Sequence, residues 1–215
     1  MILHYFTIAF RNMWKYRTQS LIGIFGLAFG LACFVPALYW LRYETSYDSF
    51  YPAAKQIYRI YTIDKQLGKA NEVVPAILER KLHEQYASTE ISTVFISAFN
   101  NCKAEGTPHI RLSTLHTSNS FFEVFPQKFL CGDTRQPLQV MNNMVLTETM
   151  ALRLFGDVEK AIGQQIQSTL YFWNPPYTVT AVVKDPPANT NLPFDALLND
   201  NRLVVLTDFP EEMQW

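Results

Sequence analysis

At 215 residues, with 18 Lys and Arg against 19 Asp and Glu, the chain has room for one ordinary domain and an appendage. The charge is unevenly placed: residues 1–18 carry Arg11, Lys15 and Arg17 with no acid, while the part from Arg42 onward has a formal charge of −4. A mildly acidic globular part argues against a nucleic-acid partner, and three cysteines without a CxxC give no support to zinc-ribbon or thioredoxin-like readings.

In chain order, residues 1–18 come first. Tyr5, Phe6, Ile8, Ala9, Phe10, Met13 and Trp14 recur at helical spacing beside basic residues. This predicts a short amphipathic helix on the cytoplasmic side, lying against membrane lipid. Leu21–Leu41 then supplies 21 residues without a formal charge, within the predicted transmembrane segment 19–42. About 20 apolar residues in a helix cross the roughly 30 Å hydrocarbon core. A cleaved signal peptide has a shorter apolar region of about 7–15 residues, followed by a small-residue cleavage site. Here Tyr39, Trp40 and Arg42 follow instead, side chains suited to the headgroup level. Gly30-Leu31-Ala32-Cys33 loosely resembles a lipobox, but the apolar run continues for eight residues past Cys33, so a retained anchor is the better reading. The basic residues before the span place the N-terminus in the cytoplasm and the main domain in the periplasm, at the inner membrane. Gly23, Gly26 and Gly30 are candidates for a helix-packing face, because glycines four apart let a neighbouring helix approach closely. Pro36 removes an intrahelical donor in the outer third of the span.

The expected third region, residues 43–215, reads as a mixed domain. Glu44–Gln56 has helical composition as far as Pro52 and predicts a stalk continuing the membrane helix. Ile57–Ile63 alternates aromatic and β-branched residues, which predicts a strand. Val74–Tyr86 has helical spacing of its apolar residues. Strand character returns at Ile91–Phe99 and at His109–Thr117. Met144–Thr147 predicts a buried strand followed by a helix to Phe155 that stops at Gly156. Tyr177–Lys184 is the clearest strand, ended by Asp185-Pro186-Pro187. Strands interrupted by single helices, without a βαβ rhythm or a glycine-rich phosphate loop, indicate an α+β fold with an N-terminal transmembrane helix. The polar stretch from Asn199 ends without a domain-closing signal, so the domain is expected to be incomplete at its C-terminus.

Catalytic constellations are missing from the pattern. His4, His83, His109 and His116 are scattered without metal-ligand spacing, and His109 and His116 read as surface or half-buried residues. No nucleophile elbow or P-loop occurs, and no cofactor, metal or catalytic residue is assigned. Glu44 and Asp48, four apart, would share one helical face and read as a solvated stalk. Asp185 and Glu211-Glu212 read as loop charges. Cys102 and Cys131 would meet oxidising conditions outside the membrane, so a disulfide between them stays open.

Several strings together resemble one family. Arg11-Asn12, Tyr16-Arg17, Ser20-Leu21-Ile22 and Gly26–Cys33 are similar to the first membrane segment of MacB/FtsX-type ABC transporter permeases. Glu44–Phe50 followed by Ile57–Ile60 resembles the stalk and first strand of their Bacteroidetes-type members. Ser120–Phe125, Leu130–Asp133, Val145–Glu148, Leu154–Asp157, Ala161–Gly163 and Tyr177–Pro186 then resemble the MacB-like periplasmic core domain in order and spacing. The resemblance implies a noncatalytic permease subunit, not an enzyme. It also implies a cytoplasmic ABC ATPase partner and a permease homodimer or paralogous heterodimer. Its periplasmic domain would serve export or extraction of substrates across the envelope, including efflux. Members of the family carry four membrane helices and this sequence supplies one, so the resemblance implies either an N-terminal fragment, with three spans and the end of the periplasmic domain beyond Trp215, or a single-span relative with a different role. The alternative from another class is a single-span extracytoplasmic sensor or binding module, for which only about 20 residues remain as a cytoplasmic output. A membrane-bound hydrolase is disfavoured by the missing motifs.

Overall fold

In the computed structural model, which describes residues 2–63, 70–71, 74, 78, 92–168 and 175–199, the chain divides after Tyr47 into two units. The first is helical. α1 (Ile2–Lys15) and α2 (Arg17–Glu44) are separated by Tyr16 alone. α1 forms where the amphipathic spacing predicts it and leaves Phe6, Phe10 and Trp14 exposed. Among the described residues, α2 is the one helix long and apolar enough to cross a membrane, by length and composition. None of its residues is buried, although its surface is dominated by Leu, Ile and Phe.

The predicted helical stalk from Glu44 to Gln56 is not formed. Thr45 Oγ1 donates to the Leu41 carbonyl at 2.9 Å and Ser46 Oγ to the Tyr43 carbonyl at 2.7 Å. The Thr45 hydroxyl also lies 3.2 Å from the Arg42 carbonyl, and the Ser46 amide turns to Tyr43 instead of Arg42, so the regular bonding ends and α2 stops at Glu44. Turns occupy residues 45–50, and Asp48 adopts φ +54°. Glu44 and Asp48 therefore share no helical face. Only a single 3₁₀ turn, Ala54–Gln56, follows Pro52.

The second unit is α+β and is built on a closed barrel. A small antiparallel pair, β1 (Thr62–Ile63) with β2 (Ala70–Asn71), stands apart from the main sheet. The main sheet comprises β3 (Ile96–Ala104), β4 (Ile110–His116), β5 (Phe129–Gly132), β6 (Asn143–Thr147), β7 (Gln165–Ser168), β8 (Tyr177–Val183) and β9 (Ala196–Leu198). Its order is β5-β8-β6-β9-β4-β3-β7, and β7 returns to pair with β8. The ring β8-β6-β9-β4-β3-β7 is thereby closed, and β5 extends the remaining edge of β8. Pairing is parallel for β6 with β8 and β4 with β9, and antiparallel elsewhere. Closure removes edges that would otherwise invite pairing with another chain.

Alternation along the strands sorts side chains into two cores. Inside lie Cys102, Leu112, Met144, Leu146, Ile166, Tyr177, Val179, Val182 and Leu198, joined by Met150, Ala151 and Leu154 of α4 (Glu148–Phe155). Outside, Leu115, Val145, Ala181, Val183 and Leu197 face Phe121 of α3 (Ser120–Val124), with Phe125, Phe194 and Tyr51. Thr180 is the extra residue of a bulge that shifts β8 against β6 between Met144 and Val145. Its hydroxyl lies 2.8 Å from the Pro137 carbonyl and 3.1 Å from that of Met144.

Three sequence expectations need correcting. The strand expected over Ile57–Ile63 forms only at Thr62–Ile63. The strand expected over Ile91–Phe99 begins at Ile96 and runs to Ala104, where Cys102 and Ala104 are small enough for the barrel interior and pair with β4 and β7. His116 is fully enclosed rather than superficial, bonded with Asn100 and Thr114. The predicted helix Val74–Tyr86 lies outside the described residues except for Val74 and Leu78, as do Glu211 and Glu212.

Gly132 marks the tightest backbone approach. It has φ +90°, and a Cβ there would sit inside contact distance of the Thr180 carbonyl oxygen and 2.6 Å from the Ala181 Cα. Gly106 also has a positive φ, +74°, but open space around it. Gly132→Ala should therefore cost upwards of about 2 kcal/mol and Gly106→Ala nearer ~1 kcal/mol. Denaturant unfolding of the two variants measures the gap, and equal costs would contradict the close β5–β8 approach.

Candidate functional site

The features that stand out chemically gather where the chain enters the second unit. Asp48 accepts four hydrogen bonds there: from Thr190 Oγ1 at 2.8 Å, from the Asn191 amide at 3.1 Å to Oδ1 and 3.4 Å to Oδ2, and from Asn191 Nδ2 at 2.7 Å. Its own amide donates to the Asn189 carbonyl at 3.1 Å. Both carboxylate oxygens and the backbone are thus engaged by one tripeptide, Asn189-Thr190-Asn191. Three residues on, Tyr51 is 4% exposed and stacks edge-on against Phe125, with ring centroids 5.2 Å apart. Its hydroxyl is buried, with the side chains of Gln127 and Thr190 as its polar neighbours. The same two side chains bond elsewhere as well: Thr190 Oγ1 donates to Asp48, and Gln127 Nε2 to the Phe125 carbonyl at 3.0 Å. Burial, with the Asp48 charge adding to it, raises the Tyr51 pKa above the usual phenol value, against the opposing effect of hydrogen bonding with Gln127 and Thr190.

The segment that holds Asp48 is tied down on both sides. Upstream, Asp185 accepts from the Thr149 amide at 3.0 Å and the Thr149 hydroxyl at 2.7 Å, capping the first turn of α4 from a distant part of the chain. Downstream, Asp195 Oδ2 accepts from the Ser113 amide at 2.8 Å and the Asp195 amide donates to the Ser113 carbonyl at 2.7 Å. Asp185, which reads from sequence as a loop charge, is a helix cap.

Other predicted positions fall apart chemically. Gly23, Gly26 and Gly30 all lie on α2, and a Cβ on any of them would meet nothing within 4 Å. His4 and His109 are exposed, while His116 is enclosed with Asn100. Among the described residues no three His, Cys, Asp or Glu side chains gather as a metal site. Cys102 and Cys131 are free thiols; Cys131 Sγ donates to the Val158 carbonyl at 3.4 Å. The polar hollow of about 420 Å³ beside Lys103, Glu105, Gln165 and Gln167 contains no buried titratable group. Sequence reasoning missed the Asp48 contacts altogether. Asn189-Thr190-Asn191, lying between prolines, reads as a loop, and nothing in it names a partner so far upstream.

These observations describe a chain with an apolar helix, a closed barrel and no catalytic constellation among the described residues. The profile of the MacB-like periplasmic core domain family matches residues 20–214. The chain belongs to that family. MacB-like domains of this kind are noncatalytic, in keeping with the lack of any reactive grouping in the sequence. In fold, the chain is similar to a domain of a protein assigned as a permease from Porphyromonas gingivalis. That match has a TM-score of 0.51 at 20% identity and covers 63% of this chain and 58% of the other. Weaker likenesses are to the extracellular domain of the noncanonic ABC-type transporter YknZ from Gram-positive bacteria and the periplasmic region of MacB from Actinobacillus actinomycetemcomitans. The first has a TM-score of 0.47 at 13% identity, covering 61% of this chain and 67% of that one. The second has 0.40 at 17%, covering 57% and 54%. The chain thus spans little more than half the length of two of these three structures. None of the curated proteins matches it in sequence.

The MacB-like barrel has a measurable acid–base signature. Burial pushes the Cys102 thiol from the usual 9.0 up to about 11. In the folded protein the thiol keeps its proton where the unfolded chain loses it. The stability contribution is complete below about pH 9 and is lost towards pH 11, by roughly 2–3 kcal/mol. Unfolding free energies measured from pH 8 to 11 should fall in this window, and Cys102→Ala should flatten that part of the fall. A profile unchanged by the substitution would contradict a buried neutral thiol.

Proposed function

We propose that this chain is part of a noncatalytic permease subunit of an ABC transporter, coupling a cytoplasmic ATPase to a periplasmic domain that exports or extracts substrates across the cell envelope. The observation that carries the reading is the family match over residues 20–214, which joins the apolar helix and the barrel domain in one architecture. The absence of an acid from the basic N-terminal 18 residues supports a cytoplasmic N-terminus. α2 then spans the inner membrane, and the barrel stands in the periplasm. α1, with Phe6, Phe10 and Trp14 exposed, lies in the inner headgroup region.

An apolar helix with none of its residues buried calls for other apolar matter around it. In a bilayer, lipid supplies part of that cover and neighbouring helices the rest. Gly23, Gly26 and Gly30 fall on one helix face and offer open space to a neighbouring backbone. They are the positions at which α2 packs in a permease homodimer or a paralogous heterodimer.

Isolation of the tagged protein from its native membranes tests this reading. An ABC ATPase should co-isolate. External protease on spheroplasts should remove the barrel while sparing an N-terminal tag. Gly26→Leu combined with Gly30→Leu should lower cross-linked dimer about tenfold. Recovery of the chain without an ATPase, or protection of the barrel from external protease, would overturn the assignment.

A further inference from the structure

We propose that the outer face of β3 and β7 is a binding site for a short, uncharged oligosaccharide. The outside of the barrel is covered unevenly. Leu115, Val145, Ala181, Val183 and Leu197 lie under the phenylalanine cluster on β4, β6, β8 and β9. On β3 and β7 the outward residues Phe99, Asn101, Lys103, Gln165 and Gln167 are exposed, alternating with inward residues such as Cys102, Ala104 and Ile166. At one end of this face Lys103, Glu105, Gln164, Gln165, Gln167 and Pro176 line the hollow of about 420 Å³. Backbone pairing holds that lining: Lys103 is the register partner of Gln167, and Gln165 that of Thr178. The Gly163 amide donates to the Val179 carbonyl at 2.8 Å, and the Val179 amide to the Gln164 carbonyl at 2.9 Å. Further along β3, on the same face, stands Phe99. It is 61% exposed, with the Arg111 guanidinium 4.3 Å over its ring.

The lining selects its ligand by elimination. An apolar molecule finds little apolar surface in the hollow beyond Pro176. An anion drawn to Lys103 meets Glu105, and a cation drawn to Glu105 meets Lys103. A molecule rich in hydroxyls and without charge uses both. Each glutamine amide sets a donor beside an acceptor, and two adjacent sugar hydroxyls answer with an acceptor and a donor. Phe99 adds the complement of a sugar's C–H face, an exposed aromatic surface on which it stacks, and Arg111 steadies that ring. Positions 99 and 103 lie about 13 Å apart along the strand, with Asn101 between them, a spacing for a chain of sugar rings rather than for one. Because the groups stand on paired strands, little ordering accompanies binding. The site does not depend on the transporter reading, and its failure would leave that reading standing.

Saturation-transfer NMR on the full-length protein in lipid nanodiscs, free of glycosidic detergent, tests the site with triacetylchitotriose and maltotriose as probes. At least one trisaccharide should receive saturation. Binding of both would assign recognition to the ring hydroxyls, and binding of the acetylated sugar alone would add its acetamido groups; either result supports the proposal. Phe99→Ala should weaken binding about tenfold, as should Gln165→Ala combined with Gln167→Ala. These positions are exposed, so both variants should keep the wild-type Tm. No transfer to either sugar at about 10 mM, or binding that both variants leave unchanged, would overturn the proposal. A tetraglutamate peptide that binds while the sugars do not would overturn it in favour of an acidic protein partner.

Discussion

Tyr177–Val183 is hydrogen-bonded along both edges: to Asn143–Thr147 on one side, and to Gln165–Ser168 and then Phe129–Gly132 on the other. A seven-stranded sheet becomes a closed barrel through this strand. Two irregularities make room for it. The bulge at Thr180 re-registers β8 against β6, and Gly132 brings β5 closer than any side chain would permit. With closure, alternate residues of one strand serve different cores. Met144 and Leu146 point inward, while Val145 lies under the phenylalanine cluster of α3.

The outer core in turn fixes where the chain enters the domain. Tyr51 is seated among Phe125 and its neighbours, and Asp48 is held by residues 189–191 just before Phe194 of the same core. Polar ties and aromatic packing therefore converge on one short turn. MacB-like domains are noncatalytic, and no reactive group gathers at this turn among the described residues.

Much of this was legible in the sequence because it rests on local periodicity. The apolar run of α2, the strand–helix–glycine succession from Met144 to Gly156 and the strand at Tyr177 all announce themselves within a few residues. Barrel closure was not legible, since strand order depends on pairings such as Gln165 with Thr178 and Thr114 with Ala196 that leave no local mark. The stalk failed for a related reason. Helix propensity continues past Glu44, but Thr45 and Ser46 turn their hydroxyls onto the last carbonyls, and Asp48 is captured by a loop far along the chain. His116 was misjudged because its partners, Asn100 and Thr114, come from the strand pairing. The resemblance to MacB/FtsX-type permeases rests on collinear strings that individually say little, and the family match covers residues 20–214.

The transporter role proposed above requires the barrel domain to respond to nucleotide bound by a partner ATPase. Hydrogen exchange on the membrane complex, held with ADP and then with a non-hydrolysable ATP analogue, addresses it most directly. The amides of residues 48–51 and 189–192 should change their exchange rates between the two states, while those of β6 and β8 remain constant. Identical exchange throughout the barrel domain in both states, with the ATPase bound and occupied, would contradict it.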